Sequence, residues 1–151
     1  MTFVMIGFAG SRRGLTDGQR WLVRQVFGSF DAFELHHGDC VGADAEAHAI
    51  AEELGCRHIH LHPPVEEKLR AHCEARQDPD WMMWVHDPLP YLKRNRAIVD
   101  AAELVVVCPA QSFEVLRSGT WATYRYAVRR KKPTVLITPA TLRNWQEVAA
   151  W

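Results

Sequence analysis

Phe3-Val4-Met5-Ile6-Gly7-Phe8, followed at once by Ala9-Gly10-Ser11-Arg12-Arg13-Gly14, is the stretch that decides the fold. A short apolar run without charge reads as a buried strand, and the small and basic residues behind it read as a tight turn at its carboxyl end. Working outward, the same alternation of strand and helix repeats along the chain. Asp17 opens a helical pattern with Leu22, Val23, Val26, Phe27 and Phe30 on one face. Phe33 to His36 is a second strand, running into the turn His37-Gly38-Asp39-Cys40-Val41-Gly42. Ala43 to Leu54 then places Ala43, Ala47, Ile50, Ala51 and Leu54 on one stripe, and Gly55 supplies the stop.

Arg57 to Leu61 alternates in polarity, which predicts a strand at the edge of a sheet rather than one covered on both faces. Tyr91 to Ala102 reads as a helix, Leu104 to Cys108 as a deeply buried strand ended by Pro109, and Thr120 to Arg130 as a further helix. Thr134 to Thr138 is the last strand, and 141–151 reads as a terminal helix. The expected architecture is a single α/β domain over 1–151. It has three layers, Rossmann-like and doubly wound, around a mostly parallel five-stranded sheet. In such a sheet ligands sit beyond the carboxyl ends of the strands, where the strand order reverses. The segment 62–90 holds five prolines and Trp81-Met82-Met83-Trp84; a connection this long predicts a lid or insertion.

Composition narrows the function classes. No apolar run approaches the roughly 20 residues that span a bilayer, which excludes a membrane-spanning helix. Eighteen basic against eighteen acidic residues give no net charge, which argues against bulk electrostatic binding of nucleic acid. Cys40, Cys56, Cys73 and Cys108 are scattered without a CxxC pair and read as buried small hydrophobes, and the amino terminus lacks the pattern of a signal peptide. A reducing cytoplasm is the expected setting. Six tryptophans exceed the needs of a minimal core, so Trp81, Trp84 and Trp121 are candidates for stacking a base or forming a subunit contact.

Four short constellations could hold an anion. Gly10-Ser11-Arg12 offers small residues, a hydroxyl and a guanidinium able to grip phosphate. Gly38-Asp39-Cys40-Val41-Gly42-Ala43-Asp44 runs into a helix start, with Asp44 either a cap or an acceptor for ribose hydroxyls. Arg117-Ser118-Gly119-Thr120 precedes another helix, where Gly119 allows close approach and Thr120 offers N–H and hydroxyl. Arg94 and Asn95 lie in the helix before the buried strand, and Glu114 is a carboxylate in the following loop. Histidines 36, 37, 58, 60 and 62 with Asp39 suggest a metal, but no helical i, i+4 pair accompanies them and the strand reads as an exposed edge, so no metal is expected. The basic run Arg129-Arg130-Lys131-Lys132 reads as a solvated helix end.

Taken together, Gly10-Ser11-Arg12, the run from His37 to His48, Arg94-Asn95-Arg96-Ala97-Ile98-Val99 and Ser118-Gly119-Thr120 resemble the SLOG superfamily, the Rossmann-like group that contains the LOG and Smf/DprA proteins. The likeness is to its small YspA/YpsA-like branch and spans positions from about 3 to 138. It implies a nucleotide or nucleotide-derived ligand at the carboxyl edge of the sheet, bound by Gly10, Ser11, Arg12, Gly38, Asp39, Gly42, Asp44, Asn95, Arg117, Ser118, Gly119 and Thr120. LOG enzymes hydrolyse the N-glycosidic bond of nucleoside 5′-monophosphates, using an arginine that resembles Arg94 and a Pro-Gly-Gly-x-Gly-Thr-x-x-Glu loop. Here Pro109 is separated from Gly119-Thr120, and Thr123 stands where that loop has its glutamate, so Glu114 is the expected substitute. The alternatives are a sensor that binds without turnover and a DprA-like contact with single-stranded DNA. The resemblance further implies a homo-oligomer and calls for no cofactor.

Overall fold

The computed structural model describes residues 3–141; the expected terminal helix lies, from 142 onward, outside the described residues. The chain forms β1 (Phe3–Gly10), α1 (Asp17–Gly28), β2 (Ala32–His37), α2 (Ala43–Glu53), β3 (His58–Leu61), β4 (Met82–Val85), α3 (Tyr91–Ala101), β5 (Leu104–Cys108), α4 (Gly119–Arg129) and β6 (Thr134–Leu136). The six strands make one sheet in the order β4-β3-β2-β1-β5-β6, and every neighbouring pair is parallel. The sheet therefore has six strands rather than the expected five. The additional one, β4, lies inside the segment read as a lid: Met82 to Val85 supplies the β-prone residues, and the prolines flank the strand rather than interrupt it. β3 is consequently internal, paired on both sides, and β4 is the edge.

The two faces are covered by different helices. Ile6, Phe8, Phe33, Leu35, Ile59 and Leu61 meet Val23 and Phe27 of α1 and Ala47, Ile50 and Ala51 of α2 in the larger core. Phe27 is its centre, edge-on to Phe8 at 6.4 Å and tilted against Phe33 at 5.2 Å. On the other face Val105 and Val107 pack against Val99 and Ala127. Gly7 lies under α3, where a Cβ would come within 2.9 Å of Ala102 and 3.1 Å of Ile98, so this glycine lets the helix sit close to the sheet.

The helix starts obey local rules. Thr16 accepts from the Gln19 N–H while the Gln19 side chain accepts from the Thr16 N–H, a reciprocal cap. The same buried amide donates to Pro109 O at 2.8 Å and Ile137 O at 2.9 Å, tying α1 to the ends of β5 and β6. Ser118 caps α4 through the Trp121 N–H. The chain runs outward from β1 to β4 on one side and returns to build β5 and β6 on the other. The strand order thus reverses between β1 and β5, whose carboxyl ends, Gly10 and Cys108, are register partners. None of the described helices is long and apolar enough to cross a membrane.

Candidate functional site

A cleft of about 590 Å³ opens over that reversal, in the size range of small-molecule sites. The end of β1 and the turn after it contribute Gly10, Ser11, Arg12 and Arg13, the turn after β2 contributes Gly38 and Cys40, and the first turn of α2 contributes Asp44. Tyr91, Arg94 and Asn95 come from α3, and Arg117, Ser118, Gly119, Thr120 and Thr123 from the start of α4. Pro64, Val65, Glu66 and Leu69, from the segment expected as a lid, form a further wall that the sequence reading did not assign to the site. Three of the expected residues, Asp39, Gly42 and Glu114, do not line the cleft.

The first turn holds its shape with its own backbone. Ser11 donates its N–H to Cys108 O, and its carbonyl accepts from both Gly14 N–H and Ala43 N–H at 3.0 Å. Its hydroxyl accepts from Arg13 N–H. With those groups committed, the anion-attracting elements here are the exposed guanidinium side chains of Arg12 and Arg13. Gly42, at φ 92°, occupies a conformation open to glycine, and a Cβ there would collide with the Arg12 backbone. Its role is to let the two turns touch. The Ala43 N–H is likewise engaged by the Ser11 carbonyl, and the first turn of α2 brings a carboxylate to the cleft.

That carboxylate is Asp44. It is buried, its Oδ2 accepts from Cys40 N–H at 3.3 Å, and its Oδ1 has no hydrogen-bond partner. Burial raises its pKa from 3.8 to about 6, against the pull of the Arg94 guanidinium and of the Cys40 and Gly38 amides. A buried acceptor without a donor costs on the order of 1–3 kcal/mol, a tension that a ligand hydroxyl or water would relieve.

Arg94 forms the floor. It is buried, with Nη1 donating to Gly38 O at 2.8 Å and His62 O at 3.4 Å and Nε donating to Asn95 Oδ1 at 2.7 Å. A Cβ at Gly38 would overlap Nη1, so only glycine lets the turn close over the guanidinium. Tyr91 lies under the same group, 5.5 Å from ring centroid to guanidinium carbon, and its hydroxyl seats against Gly119 where a Cβ would otherwise stand.

At the start of α4, the N–H groups of Gly119 and Thr120 have no protein acceptor among the described residues, and both residues line the cleft beside Arg117. Thr123 is buried, with its hydroxyl donated to Gly119 O at 2.9 Å. Glu114 instead pairs with Arg125 at 2.9 Å on the exposed rim.

Other expected residues have structural work. Asp39, at φ 51°, accepts from Arg70 Nε and from Cys73 N–H, pinning the segment 69–73 against the turn. Among the tryptophans, Trp121 is buried, Trp84 stacks on His60 and Trp81 lies under Arg76; none lines the cleft. All four thiols are free, and burial pushes those of Cys40 and Cys108 up, which disfavours a thiolate nucleophile.

Neither a family model nor a curated protein sequence matches the chain. Two solved structures are similar in fold. One is TM1055, a structural-genomics target, at 16% identity and a TM-score of 0.57 over 89% of this chain and 72% of that one. The other is DNA processing protein A (DprA) from Streptococcus pneumoniae, at 19% identity and a TM-score of 0.66 over 93% of this chain. The chain spans about half of that protein, 52%. With its parallel sheet, helices on both faces and the order reversal between β1 and β5, the chain has the doubly wound, Rossmann-like α/β fold expected from its sequence, and the two likenesses are to that fold.

Proposed function

We propose that the cleft binds a nucleoside 5′-monophosphate or a close nucleotide derivative and that it can hydrolyse the N-glycosidic bond. The observation that carries this reading is a cleft with four arginines, Arg12, Arg13, Arg94 and Arg117, around one buried carboxylate whose Oδ1 is unpaired. Guanidinium groups and the free amides of Gly119 and Thr120 suit a phosphate, and an ionised carboxylate suits the sugar. Asp44 replaces Glu114 as the proposed carboxylate, because Glu114 is turned onto Arg125 at the rim.

In the reaction the C1′–N bond breaks and its electron pair leaves with the base. Water supplies hydroxide to C1′ and a proton to the base. Asp44, ionised above about pH 6, stabilises the cationic ribosyl group and orients the water, while Arg94 steadies the charge of the leaving group or phosphate. Incubation with a panel of nucleoside monophosphates, read by chromatography for free base and ribose 5-phosphate, tests this. Asp44→Asn and Arg94→Ala are expected to abolish release, and wild-type protein that binds but yields no base overturns the hydrolytic part.

A sensor without turnover is the second reading, favoured by Thr123 in place of the family's glutamate. Saturable binding without product supports it, whereas salt-sensitive retardation of single-stranded oligonucleotides points to a DNA role. Free cysteines support a cytoplasmic setting, and the exposed Phe113 and Leu116 on the β5–α4 loop support self-association.

A further inference from the structure

Outside the cleft lining, the outer part of the sheet carries a row of histidines. Glu34 and His36 alternate on β2, and His58 and His60 on β3, so the parallel register sets His36 beside His60 and His60 beside Trp84 of β4. His36 is also the register partner of Gly7, which places the row on the α3 face of the sheet, extending outward from that helix. The helices pack mainly on β1, β2, β5 and β6, leaving β3 and β4 without a helical roof there.

The rings of His36 and His60 stack 4.2 Å apart and 9° from parallel. Their Nε2 atoms converge on one carboxylate oxygen: Glu34 Oε1 lies 2.5 Å from His60 and 3.3 Å from His36. His36 Nε2 is buried and is left without a hydrogen bond, because its approach to Glu34 does not meet hydrogen-bond geometry. The opposite ring nitrogens are both engaged, His36 Nδ1 with His62 Nε2 at 3.0 Å and His60 Nδ1 with His86 Nε2 at 2.8 Å.

We propose that Glu34, His36 Nε2 and His60 Nε2 form a binding site for a divalent transition-metal ion of the zinc type. Two imidazoles and a carboxylate are a zinc donor set, with the fourth position left to water. The three donor atoms lie within 4.8 Å of one another. Zinc bonded at about 2.0–2.1 Å holds its donors roughly 3.4 Å apart, so metal binding requires the two stacked rings to rotate out of parallel until their Nε2 lone pairs converge on the ion. A metal on Nε2 fixes the proton on Nδ1, and each ligand then donates to its waiting neighbour, His62 or His86, the arrangement that orients imidazole ligands.

A second donor group, His37, His48 and Cys73, lacks this opening. Asp39 N–H donates to His37 Nδ1, which puts the ring proton on Nε2; that proton goes to His48 Nδ1 at 2.9 Å, and His48 Nε2 donates to Glu52. All four nitrogens are used, and burial pushes the Cys73 thiol up.

The test uses the tag-free chain, stripped with a chelator and titrated with cobalt(II), then zinc(II). The expected result is one cobalt per chain with visible d–d bands, displacement by zinc, and a rise in Tm that EDTA reverses. Glu34→Gln and His60→Ala are each expected to weaken cobalt binding about ten-fold or more, and Cys73→Ser to leave it unchanged. Glu34→Gln, nearly isosteric and partly exposed, carries the result if His60→Ala fails to fold. Absence of binding at micromolar cobalt, a thiolate-to-cobalt charge-transfer band lost in Cys73→Ser, or wild-type affinity in Glu34→Gln overturns the proposal. Nucleotide binding is read separately, so this site and the cleft stand or fall independently.

Discussion

Asp39, in the turn after β2, and Asp44, in the first turn of α2, lie five residues apart, and both are buried. Asp39 commits one oxygen to Arg70 and the other to the Cys73 N–H. Asp44 faces the cleft with one oxygen on the Cys40 N–H and the other bare. The first closes a loop and the second leaves a vacancy for a ligand. The histidines repeat the contrast: the His37–His48 relay uses every ring nitrogen, whereas His36 keeps one unpartnered. Burial of a polar group is thus a poor guide to function in this protein, and completeness of its hydrogen bonding is the better one.

The comparison breaks most visibly if the two aspartates behave alike. Asp39→Ala strands the largely buried Arg70 cation and is expected to destabilise the fold by about 3 kcal/mol or more in denaturant titration, while the folded protein keeps its nucleotide affinity. Arg94→Ala removes the floor of the cleft and is expected to cut nucleotide affinity by roughly 100-fold in calorimetry, the scale of a preorganised charged donor.

Asp44→Asn sharpens the contrast. A carboxyl whose folded pKa of about 6 exceeds its unfolded 3.8 stabilises below the lower value and loses that contribution as pH rises through the upper one. The asparagine variant should therefore be more stable than wild type at pH 7, on the order of 2–3 kcal/mol, with the gap vanishing near pH 4. It should also fail to turn over substrate; a destabilised variant would mean that Asp44 is as structurally engaged as Asp39.

Histidines give the opposite sign. Burial, with neighbouring histidine charges, lowers His36 and His62 to about 3, so their contribution is present above the unfolded value of 6.5 and is lost as pH falls below it. Each adds up to about 1.4 kcal/mol per pH unit to the acid loss of stability. His62→Gln should flatten that slope in denaturant titrations between pH 6 and pH 4. The smallest effect belongs to Glu114→Ala, where an exposed pair with Arg125 is worth about 0–1 kcal/mol and turnover should be unchanged.

Much of the fold was legible because burial on both faces leaves an unambiguous mark. Val105 to Cys108 and Ile6 to Phe8 have few alternatives to a central strand. β4 was not legible: at an edge, Met82 to Val85 is largely exposed, and its prolines nearby read as a loop. The turns of the cleft were legible from glycines that a Cβ would obstruct, at Gly10 and Gly38. What spacing does not encode is the partner of a side chain. Asp39 and Asp44 look alike in sequence, and it is Arg70 and the Cys73 N–H, thirty-one and thirty-four positions on from Asp39, that tell them apart. The same holds for Glu114, whose carboxylate is captured by Arg125.

The Ser11 carbonyl, shared by the Gly14 and Ala43 amides, carries a kinetic consequence. Those two protons belong to different segments, yet neither is released to deuterated solvent without disturbing the same oxygen. They are expected to exchange in step, and an anion clasped by Arg12 should slow both, registering occupancy of the first turn in the opening rate of the second helix.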